Sequence, residues 1–505
     1  MTNKKQVVKL TTIDGRQVEY VDEIIGQGGM KDVYFSPKRD YVVAFFREKA
    51  TPQLVDRLKM ITGTYHQRIF EQEGGAYWKT VFCWPDGVVL QGDQVGVTVP
   101  TYQKNFFFEI GSKNGDMLGI KGKEKEGKWF ASANNRSRFL DPSELGDWST
   151  HLRMCIQIAR ATRRMHNAGL SHSDLSYKNC LVDPKNGRAC LIDLDGLVVP
   201  GRYPPDVVGT PDFIAPECVA TAHLDRHDPN RKLPSRETDQ HALAVLVYMY
   251  MLYRHPLRGN KVHDKVDPNL DDELMMGKSA LFVEHPTDKS NRINISGVKP
   301  SELPWADTAK IAYTVTGPYL SDLIQRAFVD GLHQPSKRPT AGEWEVGLVK
   351  TVDLLQPCLN TKCEQKWYVF DNSKKPSCPF CGIPHKGKLP VLNLYSSRTA
   401  GKFMPDNHRL MVYTNQSFFK WHVNRHIAPN EKLSEADKKR VGYFVQHAGS
   451  WWLVNEAMPD LEDRTQVDQP KKFPIGSKVE LLDGQKLLLS REEGGRVVVI
   501  QMVEV

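Results

Sequence analysis

The chain has 505 residues, with 68 Lys and Arg against 60 Asp and Glu for a net charge of +8, and it is 40% hydrophobic and 25% charged. That length implies three or four domains, since one core rarely grows beyond about 250–300 residues, and the composition is that of an ordinary soluble protein. The polar start Met1-Thr-Asn-Lys-Lys and the lack of any run of about 18 apolar residues argue against a secretory signal or a membrane span, and so mild a charge fits nucleotide or acidic-partner binding or, more simply, a diffuse solvated surface; a cytoplasmic location with no nucleic-acid or membrane partner is the expectation.

Val7–Leu10 and Gln17–Ile25 are expected as strands, followed by Gly26-Gln-Gly-Gly-Met-Lys-Asp-Val-Tyr34. Glycines between two strands let a backbone close over phosphates without side-chain obstruction, although an ordinary hairpin gives the same pattern. Tyr41-Val-Val-Ala-Phe-Phe-Arg47 predicts the next strand, and Thr51 to Met60 a helix with Pro52 in its first turn. Val88–Leu90 and Val95–Val99 predict two more strands. The Gly- and Lys-rich excursion from Lys113 to Lys128 reads as a flexible loop with no assigned role.

Trp148 to Asn167 carries Leu152, Cys155, Ile156, Ala159 and Met165 at helical spacing, and Gly169 stops it. His172-Ser-Asp-Leu-Ser-Tyr-Lys-Asn179 follows, placing Asp174 and Asn179 on one loop. An Asp there can orient a hydroxyl while an Asn holds a metal. Cys180-Leu-Val and Ala189-Cys-Leu-Ile, separated by Pro184-Lys-Asn-Gly, predict a hairpin. It runs into Asp193-Leu-Asp-Gly196, and Gly209-Thr-Pro-Asp-Phe-Ile-Ala-Pro-Glu217 comes next.

These motifs, in this order and spacing, resemble the eukaryotic-type (Hanks-type) serine/threonine protein kinases over about residues 20–355. The resemblance implies an α+β, bilobal kinase-like fold, with residues 1–104 as the N-lobe and 105–356 as the C-lobe. It implies ATP and Mg²⁺ (or Mn²⁺) as cofactors, with Asp174 orienting the attacking hydroxyl and Asn179 and Asp193 holding the metal. Gly26, Gly28 and Gly29 would cover the nucleotide, and the hinge at Thr101 and Tyr102 would meet the adenine. Asp195, at the usual glycine of the metal motif, would add a ligand or cap a turn. Thr210 would contact Asp174, Glu217 would pair with Arg338, and Asp239 would anchor the catalytic loop.

The chain departs from the family pattern at several positions. The strand position of the phosphate-binding Lys is Phe46, with Arg47 and Lys49 nearby. Lys31, at the third glycine of the loop, resembles the with-no-lysine kinases, in which that Lys rises from the glycine loop. A pseudokinase scaffold is the alternative. No Glu on the Thr51–Met60 helix is available to pair with the Lys, leaving Asp56 and Glu71 as candidates. Ser173 replaces the Arg that senses activation-loop phosphate, and Ser176 replaces a catalytic-loop Lys, with Lys178 close by.

Asp239 opens a helix that is apolar almost all round, as a lobe centre requires. The polar segment 260–310, with Trp84-Pro in the small lobe, resembles bacterial stress-associated kinases related to tellurite-resistance systems. That subgroup implies a partner phosphatase and a von Willebrand A-type protein, beside protein substrates and autophosphorylation. Cys358, Cys363, Cys378 and Cys381 have the spacing of two sulfur-bearing turns around structural Zn²⁺, a zinc ribbon over 357–386. His385 is a spare ligand candidate. Residues 387–505 show regularly spaced short strands, which predict a β-sandwich, and Leu481–Ser490 resembles the end of a forkhead-associated domain without its phosphothreonine signature.

Overall fold

The computed structural model describes residues 6–27, 30–71, 74–199, 202–203, 209–225, 227–371, 376–399 and 402–504. The chain divides into two compact units. The first comprises Met1–Gly146, Thr150–Ala309 and Leu323–Glu345; the second Asp147–Ser149, Lys310–Asp322 and Val346–Val505. Residues 147–149, 310–322 and 346–356, expected in the C-lobe, thus fall in the second unit.

The first unit begins with a hairpin of β1 (Val7–Thr11) and β2 (Gln17–Val21). A five-stranded antiparallel sheet follows, built from β3 (Ile24–Gln27), β4 (Lys31–Phe35), β5 (Tyr41–Lys49), β6 (Gly87–Gln91) and β7 (Gln94–Pro100) in the order β3-β4-β5-β7-β6. Successive strand residues point to opposite faces, so β5 feeds two apolar clusters. Ala44 and Phe46 pack with Val88, Val95, Val97 and Leu58, while Val43 and Phe45 pack with Val18, Tyr20 and Val89. Leu58 comes from α1 (Pro52–Met60), whose first turn is secured by Pro52 and by the Thr51 side chain accepting the Leu54 N–H.

Two long helices support the rest of this unit. The spacing that predicts a helix over Trp148–Asn167 gives α2 with those bounds. Helix α3 (Arg236–Leu252) starts ahead of Asp239, because Ser235 and Thr238 form a capping box, and it is buried from Ala242 to Leu252. The predicted hairpin is β8 (Cys180–Asp183) and β9 (Arg188–Leu191).

Two segments that look loose in sequence are packed. Lys125, in the Gly- and Lys-rich excursion, is buried, with its ammonium 2.9 Å from the buried carboxylate of Glu144. A buried ammonium persists only with such a partner, so the excursion is not a free loop throughout. In the polar segment 260–310, a helix forms over Pro268–Met276, and Phe282, Val283 and Glu284 are buried. Glu284 accepts from the Tyr248 hydroxyl and from Arg254, both at 2.5 Å.

The second unit holds a short hairpin of β10 (Leu355–Pro357) and β11 (Trp367–Val369) and two antiparallel sheets. The six-stranded sheet uses β12 (Leu389–Thr399), β13 (Lys402–Met411), β17 (Glu462–Asp463), β18 (Lys471–Lys472), β20 (Lys486–Leu488) and β21 (Arg496–Val503), in the order β13-β12-β21-β20-β17-β18. The four-stranded sheet orders β14 (Ser417–Phe419), β15 (Arg440–His447), β16 (Ser450–Asn455) and β19 (Lys478–Glu480) in sequence. Burial alone would raise the carboxyl of Asp353, yet His422 and His408, at 3.2 and 2.6 Å from its two oxygens, hold it well below the usual range.

Candidate active site

The catalytic-loop candidates converge because a buried carboxylate at the head of α3 organises their backbone. Asp239 accepts the His172 N–H at 2.7 Å, the Ser173 N–H at 3.2 Å and His166 Nε2 at 3.0 Å. Ser173 sits at a φ of 68° with its N–H in that grip. The turn presents Asp174, whose Oδ1 accepts the Thr210 N–H at 2.6 Å and whose Oδ2 accepts Asn179 Nδ2 at 2.8 Å. Asn179 Nδ2 also donates to the Asp174 carbonyl at 2.9 Å. With its nitrogen engaged twice, the Asn179 amide offers its oxygen to a cation.

Across from this loop stands Lys31 on β4. Its Nζ lies 2.7 Å from Asp193 Oδ1 and 2.9 and 2.7 Å from the two oxygens of Asp195. Burial by itself would lower this ammonium, but Asp195 and Asp193 outweigh it and hold the pKa above the ordinary lysine value. Burial would raise Asp193 in turn, and Lys31 brings it below the usual carboxylate value. Asp193 adopts a left-handed conformation (φ 59°), which Asp tolerates better than most residues.

The other cations point elsewhere. Arg47 pairs with Asp32 at 2.9 Å and Lys49 with Asp93 at 3.1 Å. Lys178 is exposed, and Ser176 is buried with its Oγ accepting from Thr210 Oγ1 at 3.2 Å. Neither Asp56 nor Glu71 is a partner of Lys31. Asp56 accepts from the Tyr203 hydroxyl and, at 3.3 Å, from Arg202.

A cavity of about 350 Å³ opens beside these groups, lined by Gly26, Lys31, Thr101, Tyr102, Asp193 and Asp195 among others. Gly28 and Gly29 lie outside the described residues. The Thr101 N–H and hydroxyl both donate to the Asp40 carbonyl at 3.1 Å. Cys83, Phe107 and Glu124 also line the cavity, and no local sequence pattern marks any of the three as a site residue. Burial pushes the Cys83 thiol up to about 12, so it remains protonated, with its Sγ 3.1 Å from the Pro100 carbonyl. The expected hinge at Thr101 and Tyr102 and the lobe boundary near residue 104 point to this wall only indirectly, because its residues are brought together from separate segments.

Elsewhere in the first unit Arg338 is buried and grips both oxygens of Glu217, at 2.8 and 2.7 Å. In the second unit the sulfur atoms of Cys358, Cys363, Cys378 and Cys381 all lie within 4.8 Å of one another, with 3.5 Å between Cys358 and Cys381 and 3.9 Å between Cys363 and Cys378. These separations exclude disulfides, whose S–S bond is about 2.05 Å, and match the sulfur edges of about 3.8 Å expected around tetrahedral Zn²⁺. His385 is not among the four.

Comparison with known proteins meets the same segment. Residues 134–346 match the family model described as Protein kinase domain. A probable serine/threonine-protein kinase of Saccharomyces cerevisiae is 27% identical over 27% of this chain and 19% of its own length. A dual serine/threonine and tyrosine protein kinase of Apis mellifera is 26% identical over 32% of this chain and 14% of its own length. The chain therefore spans less than a fifth of these relatives. The stretch that carries Asp174, Asn179, Asp193 and Glu217 lies wholly within the segment that matches the protein kinase domain model.

Proposed function

We propose that this chain is an ATP- and Mg²⁺-dependent serine/threonine protein kinase whose phosphate-binding lysine is Lys31. One observation carries the reading: Lys31 Nζ, rising from the glycine-loop strand, stands 2.7 Å from Asp193 Oδ1 at the edge of an open cavity. A half-exposed carboxylate at Asp193 and the amide oxygen of Asn179 are hard oxygen donors of the kind Mg²⁺ favours. Bound there, Mg²⁺ and the triphosphate supply the transferable phosphoryl group and neutralise its charge. Asp174 orients the acceptor hydroxyl, Lys31 fixes the phosphates, and the hinge at Thr101 and Tyr102 seats the adenine. Catalysis on this plan is positioning and charge stabilisation.

Transfer of label from radiolabelled ATP to the chain itself and to a generic protein tests the reading. Lys31→Met and Asp174→Ala should each abolish it. Label persisting in Asp174→Ala would sink the enzyme assignment, and ATP binding without transfer under any condition would leave a nucleotide-sensing scaffold.

Two accessory parts complete the proposal. The four thiols form a structural zinc site with no open coordination position, and the two antiparallel sheets support a β-sandwich, distantly forkhead-associated-like, that serves docking. A cytoplasmic setting goes with this reading, and the subgroup resemblance adds a partner phosphatase and a von Willebrand A-type protein, which affinity purification from cells expressing the tagged full chain would test. Among the described residues no helix is long and apolar enough to cross a membrane.

A further inference from the structure

An ammonium that must meet the same phosphate oxygens in every turnover needs a fixed counter-ion. Helix α1, beside the sheet, offers only Asp56, and Asp56 is engaged with Tyr203 and Arg202. The partners of Lys31 come instead from the segment after β9. Asp193 uses one oxygen and Asp195 uses both.

These two carboxylates have different surroundings. The Asp195 side chain is 7% exposed, and the Asp193 side chain is 51% exposed. A buried carboxylate with both oxygens on one ammonium is poorly placed to take a hydrated divalent ion, which keeps several waters of its own. A half-exposed carboxylate with one oxygen engaged is well placed for it. We infer that Asp195, standing where the metal motif usually has glycine, is the positioning residue that holds Lys31, and that Asp193 is thereby left to the metal.

The inference rests on the kinase reading proposed above. It frees Lys31 from any dependence on α1, whose one acidic candidate is bound to the segment between Asp193 and Glu217 instead. It also explains the aspartate at this position: a glycine there would leave Lys31 drawn onto Asp193 alone.

The test compares wild type with Asp195→Asn, Asp195→Glu, Lys31→Met and, as a control, Glu71→Gln. Two readouts are taken: steady-state transfer, and acylation by an acyl phosphate of ATP with the labelled lysine located by peptide mass spectrometry. The second reports where the Lys31 ammonium stands even if no transfer occurs, so it separates failure of this inference from failure of the kinase reading. Asp195→Asn should lower both kcat and Lys31 labelling about tenfold or more, with KM for ATP changed by less than about threefold, as loss of positioning requires. Asp195→Glu should regain part of both, and Glu71→Gln should match wild type. Melting temperature, read in parallel, identifies a variant that fails to fold, in which case Asp195→Glu decides.

Three results would overturn the inference. One is wild-type labelling at a lysine other than Lys31. Another is normal labelling and turnover in folded Asp195→Asn. The third is an Asp195→Asn defect that disappears as Mg²⁺ is raised, which would make Asp195 a metal ligand.

Discussion

Lys31 stands directly across the β4–β5 ladder from Phe46, with its ammonium 5.5 Å from the centre of the Phe46 ring. On the proposed reading, the strand position expected for the phosphate lysine is thus filled by a buried aromatic, and the charge enters from the adjacent strand. Phe46 packs against Ala44, Leu58, Val88, Val95 and Val97. A lysine there would bury an ammonium among apolar groups, which is costly unless it is paired. Lys31→Met should reduce transfer by about a hundredfold or more, and adding Phe46→Lys should lower urea stability without restoring turnover. Recovery of activity in the double variant would contradict the assignment.

The catalytic loop should be as sensitive to Asp239 as to Asp174. Asp239→Ala leaves the buried His172 N–H without its acceptor, at about 1–3 kcal/mol, and frees the half-buried Ser173 N–H as well. Both unfolding free energy and turnover should fall. Asp174→Asn, by contrast, should remove turnover with little change in the urea midpoint.

The pair of Arg338 and Glu217 is structural. Glu217→Ala strands a guanidinium that is 3% exposed, and removing one member of such a buried pair costs about 3–5 kcal/mol. Chemical denaturation of the full chain reads this directly. A shift under about 1 kcal/mol would mean that the carbonyls of Gly331, Leu332 and Glu237, which also accept from Arg338, suffice to hold it.

Acid should destabilise the first unit through histidines buried in the neutral form, among them His255, His151 and His241. Burial lowers His255 to about 4, and burial with the nearby Arg136 lowers His151 to about 3. Nδ1 of His151 lies 3.0 Å from the Tyr250 carbonyl, while Arg136 donates to its Nε2. Both folded-state values lie below the unfolded value of about 6.5, so the unfolded chain binds more protons as pH drops. Stability is complete above about pH 6.5 and is lost as pH falls toward 4 and then 3, with His255 alone accounting for about 3 kcal/mol. Urea midpoints measured from pH 7 to pH 4 should decline, and the decline should shrink in His255→Gln.

The four-cysteine cluster should bind one zinc per chain. Metal analysis of the purified protein should find it, and Cys378→Ser or a strong chelator should remove it and lower the melting temperature of the second unit. Because the four cysteines belong to the second unit and Asp174, Asn179 and Asp193 to the first, turnover per folded molecule should change by less than about twofold.

Much of this chain is written in short-range patterns. Apolar spacing along α2, the Pro-Lys-Asn-Gly turn between β8 and β9, the interval from Asp174 to Asn179 and the paired cysteines each depend on local geometry, and each was legible without coordinates. Strand β12, an 11-residue member of the six-stranded sheet between β13 and β21, was not among the expected strands. Its Pro390, Asn393 and paired serines weaken the alternation that identifies a strand, and its place depends on neighbours supplied from elsewhere in the chain. The buried Lys125 was missed for a similar reason: Glu144 is distant enough in sequence that only folding brings it alongside.

The site divides in the same way. Sequence alone determined which residues could orient a hydroxyl or hold a metal, because the loop that carries them is continuous. The partners of Lys31 were decided by tertiary structure alone: Asp193 and Asp195 lie 162 and 164 positions away, and no local periodicity links a strand ammonium to carboxylates at that distance. Burial settles the choice, since a charge withdrawn from water must find its opposite within a few ångströms, and only the folded chain determines which one is there.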